Sequence, residues 1–113
     1  MTRISRGEIW LADLNPVRGH EQAGKRPCLV ISVDLFNQGA SGLIVVLPIT
    51  SKKKAIPFHV EVSPPEGGLK VRSFIKTEDV RSISLERLEK CLGIVSFTTL
   101  TAVEERLRIL MGL

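Results

Sequence analysis

Alternation of apolar and polar positions runs through most of the chain. In EIWLADL, residues 8–14, Ile9, Leu11 and Asp13 alternate with Trp10, Ala12 and Leu14. That is the side-chain period of a β-strand, and Pro16 ends it. A polar loop over residues 15–25 follows, with Pro16, Gly19 and Gly24; it is long for a hairpin connection, and such loops are more often functional than filler. Pro27 suits the first residue of a strand, where a missing N–H matters least, and CLVISV then reads as a buried strand. DLFNQGASG is turn-rich, and LIVVLPIT is a third apolar strand ending at Pro48. After the cationic turn SKKKAIP, FHVEV sets Phe58, Val60 and Val62 against His59 and Glu61, a half-exposed antiparallel strand. SPPEGG is a turn, and SFIKTEDV begins another strand. RLEKCLGIV reads as a sixth strand or as a short helix.

From Ser96 the period changes. Leu100, Val103, Leu107 and Leu110 recur at helical spacing, with Thr98 or Thr99 as N-cap, Glu104 and Glu105 early in the helix, and Gly112 to stop it. Five or six short strands and one amphipathic helix predict a mainly β fold with α. The expected architecture is a small, strongly bent antiparallel sheet or barrel closed on one side by the C-terminal helix. At 113 residues it is expected to be a single domain, residues 1–113.

Composition changes this picture little. Lys and Arg number 16 against 12 Asp and Glu, a net charge of +4 that permits an anionic partner without demanding one. Cys28 and Cys91 both sit in apolar runs without paired spacing, so both read as reduced core thiols of a cytosolic protein. No apolar stretch approaches the about 18 residues of a membrane span, and no signal-peptide pattern is present. His20 and His59 are the only histidines and stand in no ligand spacing, so no metal and no cofactor is expected.

Three polar clusters fall at strand ends. One holds His20, Glu21, Gln22, Lys25 and Arg26. Another is Thr50 and Ser51 followed by Lys52, Lys53 and Lys54. The last is Lys76, Thr77, Glu78 and Asp79, leading to Arg81 and Ser82. Singly, each has an ordinary structural reading: a surface cation, a turn-forming Thr, a solvated Lys run, a surface His, an internally paired patch. Jointly, in a small sheet whose strand ends converge, they suggest a site. There is no Ser-His-Asp or Cys-His arrangement and no Gly-rich phosphate loop. One hydrolytic reaction needs none of these: RNA scission by the substrate's own 2′-hydroxyl. There the protein mainly aligns the backbone and stabilises charge on the phosphoryl oxygens. Arg26 offers a guanidinium fork and Thr50 a hydroxyl for that task.

The run RGEIWLADLNPVRGHEQAGKRPCLVIS resembles the opening of the MazF/PemK family of toxins from bacterial type II toxin–antitoxin modules. The likeness continues in VVLPITS, PFHVEV, SFIKTEDVRSIS and LRILMGL, and so spans essentially the whole chain. It implies a compact SH3-like β-barrel of the CcdB/MazF kind, a homodimer, and metal-independent, sequence-selective cleavage of single-stranded RNA. The implied products carry 2′,3′-cyclic phosphate and 5′-hydroxyl ends. The family's catalytic Arg and Thr fall on Arg26 and Thr50. Its RNA-touching positions fall on Glu21, Gln22, His59, Ser73 and Glu78, and Lys25, Ser51, Lys53, Lys76 and Asp79 lie in the same clusters. A guanidinium titrates far above neutrality, so phosphorane stabilisation is the main role expected of Arg26. Two departures matter. Asp79 stands where a Gln is common, and Lys76 where some relatives carry Arg. Asp79 is expected to favour donors on a base edge and to repel phosphate, so the family's usual cleavage triplets are not assumed.

Two other readings stay open at this level. One is a non-catalytic protein-binding toxin like the gyrase poison CcdB; the other is an RNA-binding barrel without cleavage. The resemblance also implies a cognate antitoxin whose acidic, partly disordered C-terminal tail covers the RNA groove, consistent with the positive charge here. No membrane partner is expected.

Overall fold

Strand alternation divides the interior into two apolar layers. The computed structural model describes residues 3–16 and 18–113; Met1, Thr2 and Val17, the last within the predicted 15–25 loop, lie outside it. Among the described residues there are seven strands: β1 Glu8–Asp13, β2 Lys25–Val30, β3 Leu43–Thr50, β4 His59–Val62, β5 Ser73–Lys76, β6 Arg81–Ser84 and β7 Leu88–Ile94. Helix α1 is Asp34–Asn37 and α2 is Phe97–Met111. Ile9, Leu29, Leu47, Ile49, Val60 and Ile75 enter one core, against which Leu100, Val103 and Leu107 of α2 pack. The alternate residues Trp10, Ala12, Cys28, Val30, Ile44 and Val46 form the other core with Ile83. A period of two therefore buries both faces of β1, β2 and β3.

All pairings are antiparallel, in the order β4-β5-β3-β2-β1-β7, with β6 also on β3. β4 and β7 end that order without pairing each other, so the sheet is open and the term barrel fits it loosely. β3 is the pivot: its first residues pair β6, its middle pairs β2, and Ile49 and Thr50 pair β5.

Several predicted boundaries shift. β3 continues through Pro48 to Thr50. β2 begins at Lys25, so Pro27 lies inside it, opposite Leu11 of β1; β3 has no residue paired to it there, so the missing N–H breaks no bond between β2 and β3. SFIKTEDV divides into β5 and a 3-10 turn at Thr77–Asp79, and the following RSIS forms β6, a strand the alternation did not announce. DLFN is a short helix, not only a turn. RLEKCLGIV resolves as strand β7, which exposes Cys91, contrary to the expectation of a core thiol.

The helix N-cap is Ser96, whose Oγ accepts from the Thr99 N–H at 3.1 Å, rather than Thr98 or Thr99. Glu104 lies in the body of α2, where it meets Arg6 at 2.5 Å; Arg6 also donates to the Ile31 carbonyl, tying the N-terminal segment to the helix. Gly112 closes the helix in the left-handed conformation, φ 73°, as predicted. Gly67 and Gly68 press on β7. A Cβ at Gly68 would lie 1.9 Å from the Leu92 carbonyl oxygen, so glycine permits the contact.

Candidate active site

The β2–β3 ladder pairs Val30 with Val46, Leu29 with Leu47 and Cys28 with Pro48, then stops. Continued by two more positions it would place Arg26 opposite Thr50, on the same face of the sheet. Instead β3 leaves β2 and pairs Ile49 and Thr50 with Ile75 and Phe74 of β5. The divergence opens a cleft with Arg26 on one wall and Thr50 on the other, and both side chains line two adjoining hollows. The pair picked from sequence thus lines the same two hollows. Thr50 is 5% exposed, and its Oγ1 accepts from the Lys52 N–H at 3.2 Å. Arg26 donates from Nε to the Ala23 carbonyl at 3.2 Å; among the described residues its terminal nitrogens have no protein partner. One edge of the guanidinium is held by the loop and the other faces the cleft.

The hollows join into a furrow. The first, about 340 Å³, has apolar walls of Pro27, Ile49, Leu69, Val71 and Leu92, with Ser51 and Ser73 at its polar side. The second, about 270 Å³, brings Lys52, Lys54 and Lys76 to Arg26 and Thr50, facing Glu21 and Gln22 of the loop. A third, about 450 Å³, shares Lys54, Lys76 and Glu21 and is walled by Glu78 and Asp79. The last, about 160 Å³, lies beyond Ile56 and holds Lys53, Glu61 and His59. Lys53 therefore stands at the far end, while Lys52 and Lys54 line the hollow beside Arg26. Sequence reasoning named all three as one run and carried forward only the middle one; the turn after Thr50 decides which reach inward. Lys25 goes elsewhere. Strand alternation turns it from the cleft, 3.3 Å from Glu89 of β7.

Two expectations are corrected at the polar end. His59 is not a surface side chain: it is 4% exposed, and its Nε2 lies 2.8 Å from Glu78 Oε2. Its Nδ1 and the other Glu78 oxygen are buried without partners among the described residues. Asp79 is not a free acid. Its Oδ2 lies 2.6 Å from an Arg81 terminal nitrogen and 3.6 Å from Lys76 Nζ, and accepts the Gln22 backbone N–H at 2.9 Å. The apolar wall of the first hollow was missed altogether: Leu69 and Val71 fall between the predicted turn SPPEGG and the strand beginning at Ser73, and Leu92 lies in the stretch read as a sixth strand or short helix.

Chemically, the cleft offers cationic and hydroxyl donors rather than a protein nucleophile. Burial pushes the Cys28 thiol up to about 12, with Arg81 opposing the rise and Asp79 adding to it, so it stays a neutral thiol. Among the described residues no three His, Cys, Asp or Glu side chains gather as a metal-holding group. No helix among them is long and apolar enough to cross a membrane.

Comparison with known proteins matches this geometry. The profile described as "PemK-like, MazF-like toxin of type II toxin-antitoxin system" covers residues 5–111. Endoribonuclease MazF9 of Mycobacterium tuberculosis is 41% identical over 97% of this chain and 98% of its own length. The crystal structure of MazF (Form-I) from Deinococcus radiodurans superposes with a TM-score of 0.89 at 30% identity, covering 100% of both chains. A MazE–MazF structure (Form-II) from the same organism matches with a TM-score of 0.82 at 30% identity, over 100% of this chain and 99% of that one. Sequence, register and fold converge: the chain belongs to the PemK-like, MazF-like toxins of type II toxin–antitoxin systems.

Proposed function

We propose that this chain is a toxin endoribonuclease that cuts single-stranded RNA without a metal ion, with Arg26 and Thr50 as its catalytic residues. The observation that carries the reading is that both side chains line the same two hollows where β3 parts from β2. The ribose 2′-oxygen attacks its own phosphorus. A 2′-O–P bond forms, the P–O5′ bond breaks, the 2′-hydroxyl loses its proton, and the 5′-oxygen gains one. The ends are a 2′,3′-cyclic phosphate and a 5′-hydroxyl, with no change in oxidation state. Arg26, oriented through Nε, presents its terminal N–H groups to the phosphoryl oxygens, and Thr50 donates its hydroxyl to the same charge. Lys52, Lys54 and Lys76 hold neighbouring phosphates. Glu21, Gln22, Ser51, Lys53, His59, Ser73, Glu78 and Asp79 line the rest of the furrow. The chain acts as one domain, residues 1–113, in a cytoplasmic homodimer, and an antitoxin with an acidic tail covers the cationic hollow. The MazE–MazF assembly of the Deinococcus relative supports that partner class. A gyrase-poison mode is not favoured, since protein binding has no need of an aligned Arg26–Thr50 pair.

The test is incubation of the pure protein with a long mixed-sequence RNA in excess EDTA, beside Arg26→Ala, with both ends of each cut characterised. Cuts at a recurring short motif with cyclic-phosphate ends, absent from the variant, support the reading. Intact RNA with folded protein overturns it.

A further inference from the structure

Asp79 is the least expected residue of the furrow, a carboxylate among groups suited to phosphate. Its surroundings remove the paradox. Arg81 and Lys76 flank it at 2.6 and 3.6 Å, and its side chain is 14% exposed. Two cations beside one carboxylate offset its charge toward an approaching phosphate. Its oxygen is directed instead to a residue 57 positions away, the backbone N–H of Gln22 at 2.9 Å. Lys76 Nζ reinforces this by donating to the Gln22 side-chain oxygen at 3.3 Å. Immediately after Gln22 comes Ala23, whose carbonyl receives Arg26 Nε. The loop is therefore pinned on two sides of the same two residues, by the β5–β6 corner and by the catalytic arginine.

The other described ties of segment 18–24 are local ones. The Arg18 N–H donates to Glu21 Oε1 at 2.8 Å, the Gly24 N–H to Asn15 Oδ1 at 3.1 Å, and Leu14 N meets the Gly24 carbonyl at 3.0 Å. These shape the loop but do not hold it against the furrow. Among the described residues, its hydrogen bonds to the β5–β6 corner are the two through Asp79 and Lys76.

We propose that Asp79 is a positioning residue: its Arg81-paired carboxylate latches the loop at Gln22 and sets Glu21 and Gln22 over the furrow, while Arg26 keeps its own hydrogen bond to Ala23. The inference rests on the endoribonuclease reading for its consequence in catalysis, but the latch itself does not. In this role Asp79 governs how well the furrow is preformed for substrate, not which base is chosen. Prior ordering of a binding loop lowers the free-energy cost of association, so its loss falls on KM rather than on the chemical step.

Two measurements on Asp79→Ala and Asp79→Asn decide it. The first is amide hydrogen exchange at Gln22 in the RNA-free protein, which needs no activity. Loss of a charged acceptor is expected to raise exchange about tenfold or more in Asp79→Ala. The near-isosteric Asp79→Asn, which keeps an acceptor oxygen and the volume, is expected to restore part of the protection. The second is cleavage of mixed-sequence RNA. KM is expected to rise about fivefold or more, with kcat within about twofold and the cut motif unchanged. Unchanged protection of the Gln22 amide in both variants overturns the latch. So does a changed cut motif with protection intact, which would make Asp79 a reader of RNA bases. If the wild type cuts no RNA, the catalytic reading fails while the exchange result still decides the latch.

Discussion

Among the described residues, Arg26 is held by a single hydrogen bond from Nε to its own loop, which leaves the terminal fork facing the cleft. In the proposed mechanism its contribution is to charge that develops in the transition state. Arg26→Ala is expected to lower kcat by about 10² to 10³ with a smaller effect on KM. Arg26→Lys keeps the charge but loses the planar fork, and is expected to recover only part of the rate. Steady-state kinetics on a short RNA checks both. Thr50→Val tests the hydroxyl at constant shape; a loss in kcat with unchanged thermal stability assigns Thr50 to the reaction, and an equal rate assigns it to the turn it forms with Lys52. The two cysteines separate by environment. Cys28 is fully buried, and that burial pushes its thiol up to about 12, whereas Cys91 is exposed on β7, its thiol raised by partial burial and by Glu8. Mass spectrometry after brief alkylation of the native protein is expected to show one adduct, at Cys91. The sequence placed both in apolar runs, and run composition alone cannot say that β7 turns Cys91 outward.

The start of α2 is capped twice, from Ser96 and from a distant turn. Glu66 Oε2 accepts the Ser96 backbone N–H at 2.9 Å. Burial acts to raise the Glu66 pKa, but hydrogen bonds from Thr99 and Ser96 outweigh it and hold the carboxyl below its ordinary 4.5. A carboxyl depressed by folding adds stability above its unfolded pKa and loses it as pH falls through the folded one. Urea midpoints of the wild type and Glu66→Gln are thus expected to differ at pH 7 and to converge toward pH 3. The adjacent glycines make a stricter demand. Gly68 has φ 73°, and an added Cβ would lie 1.9 Å from the Leu92 carbonyl oxygen, a backbone atom that cannot step aside. Gly68→Ala is expected to destabilise by about 2 kcal/mol or more, seen as a lower urea midpoint. The sequence marked SPPEGG as a turn, but not that the turn packs on a strand some 25 residues later, nor that β6 would form. Both depend on partners distant in the chain.

The molecule presents its cations unevenly. Its net charge is only +4, yet Arg26, Lys52, Lys54 and Lys76 line one hollow, with Glu21 as its acidic side chain. For four phosphate contacts on a single strand, raising salt from about 50 to about 200 mM is expected to weaken binding about 50-fold. Fluorescence anisotropy with a 2′-O-methyl RNA, which cannot supply the nucleophile, measures this without cleavage. By itself the sequence determined the strand-rich architecture, the C-terminal helix and the family, and it named Arg26 and Thr50, which line the same cleft. The elements are written in local periodicity, and the family in motifs spread along the chain. Only the tertiary structure decided that the sheet stays open, that His59 is buried against Glu78, that Lys25 turns to Glu89, and that Asp79 spends its charge on Arg81, Lys76 and the Gln22 amide. The physical reason is the same in each case. Which face a side chain occupies, and which charge it meets, follows from register between strands far apart in sequence. Periodicity along one strand carries no record of that register.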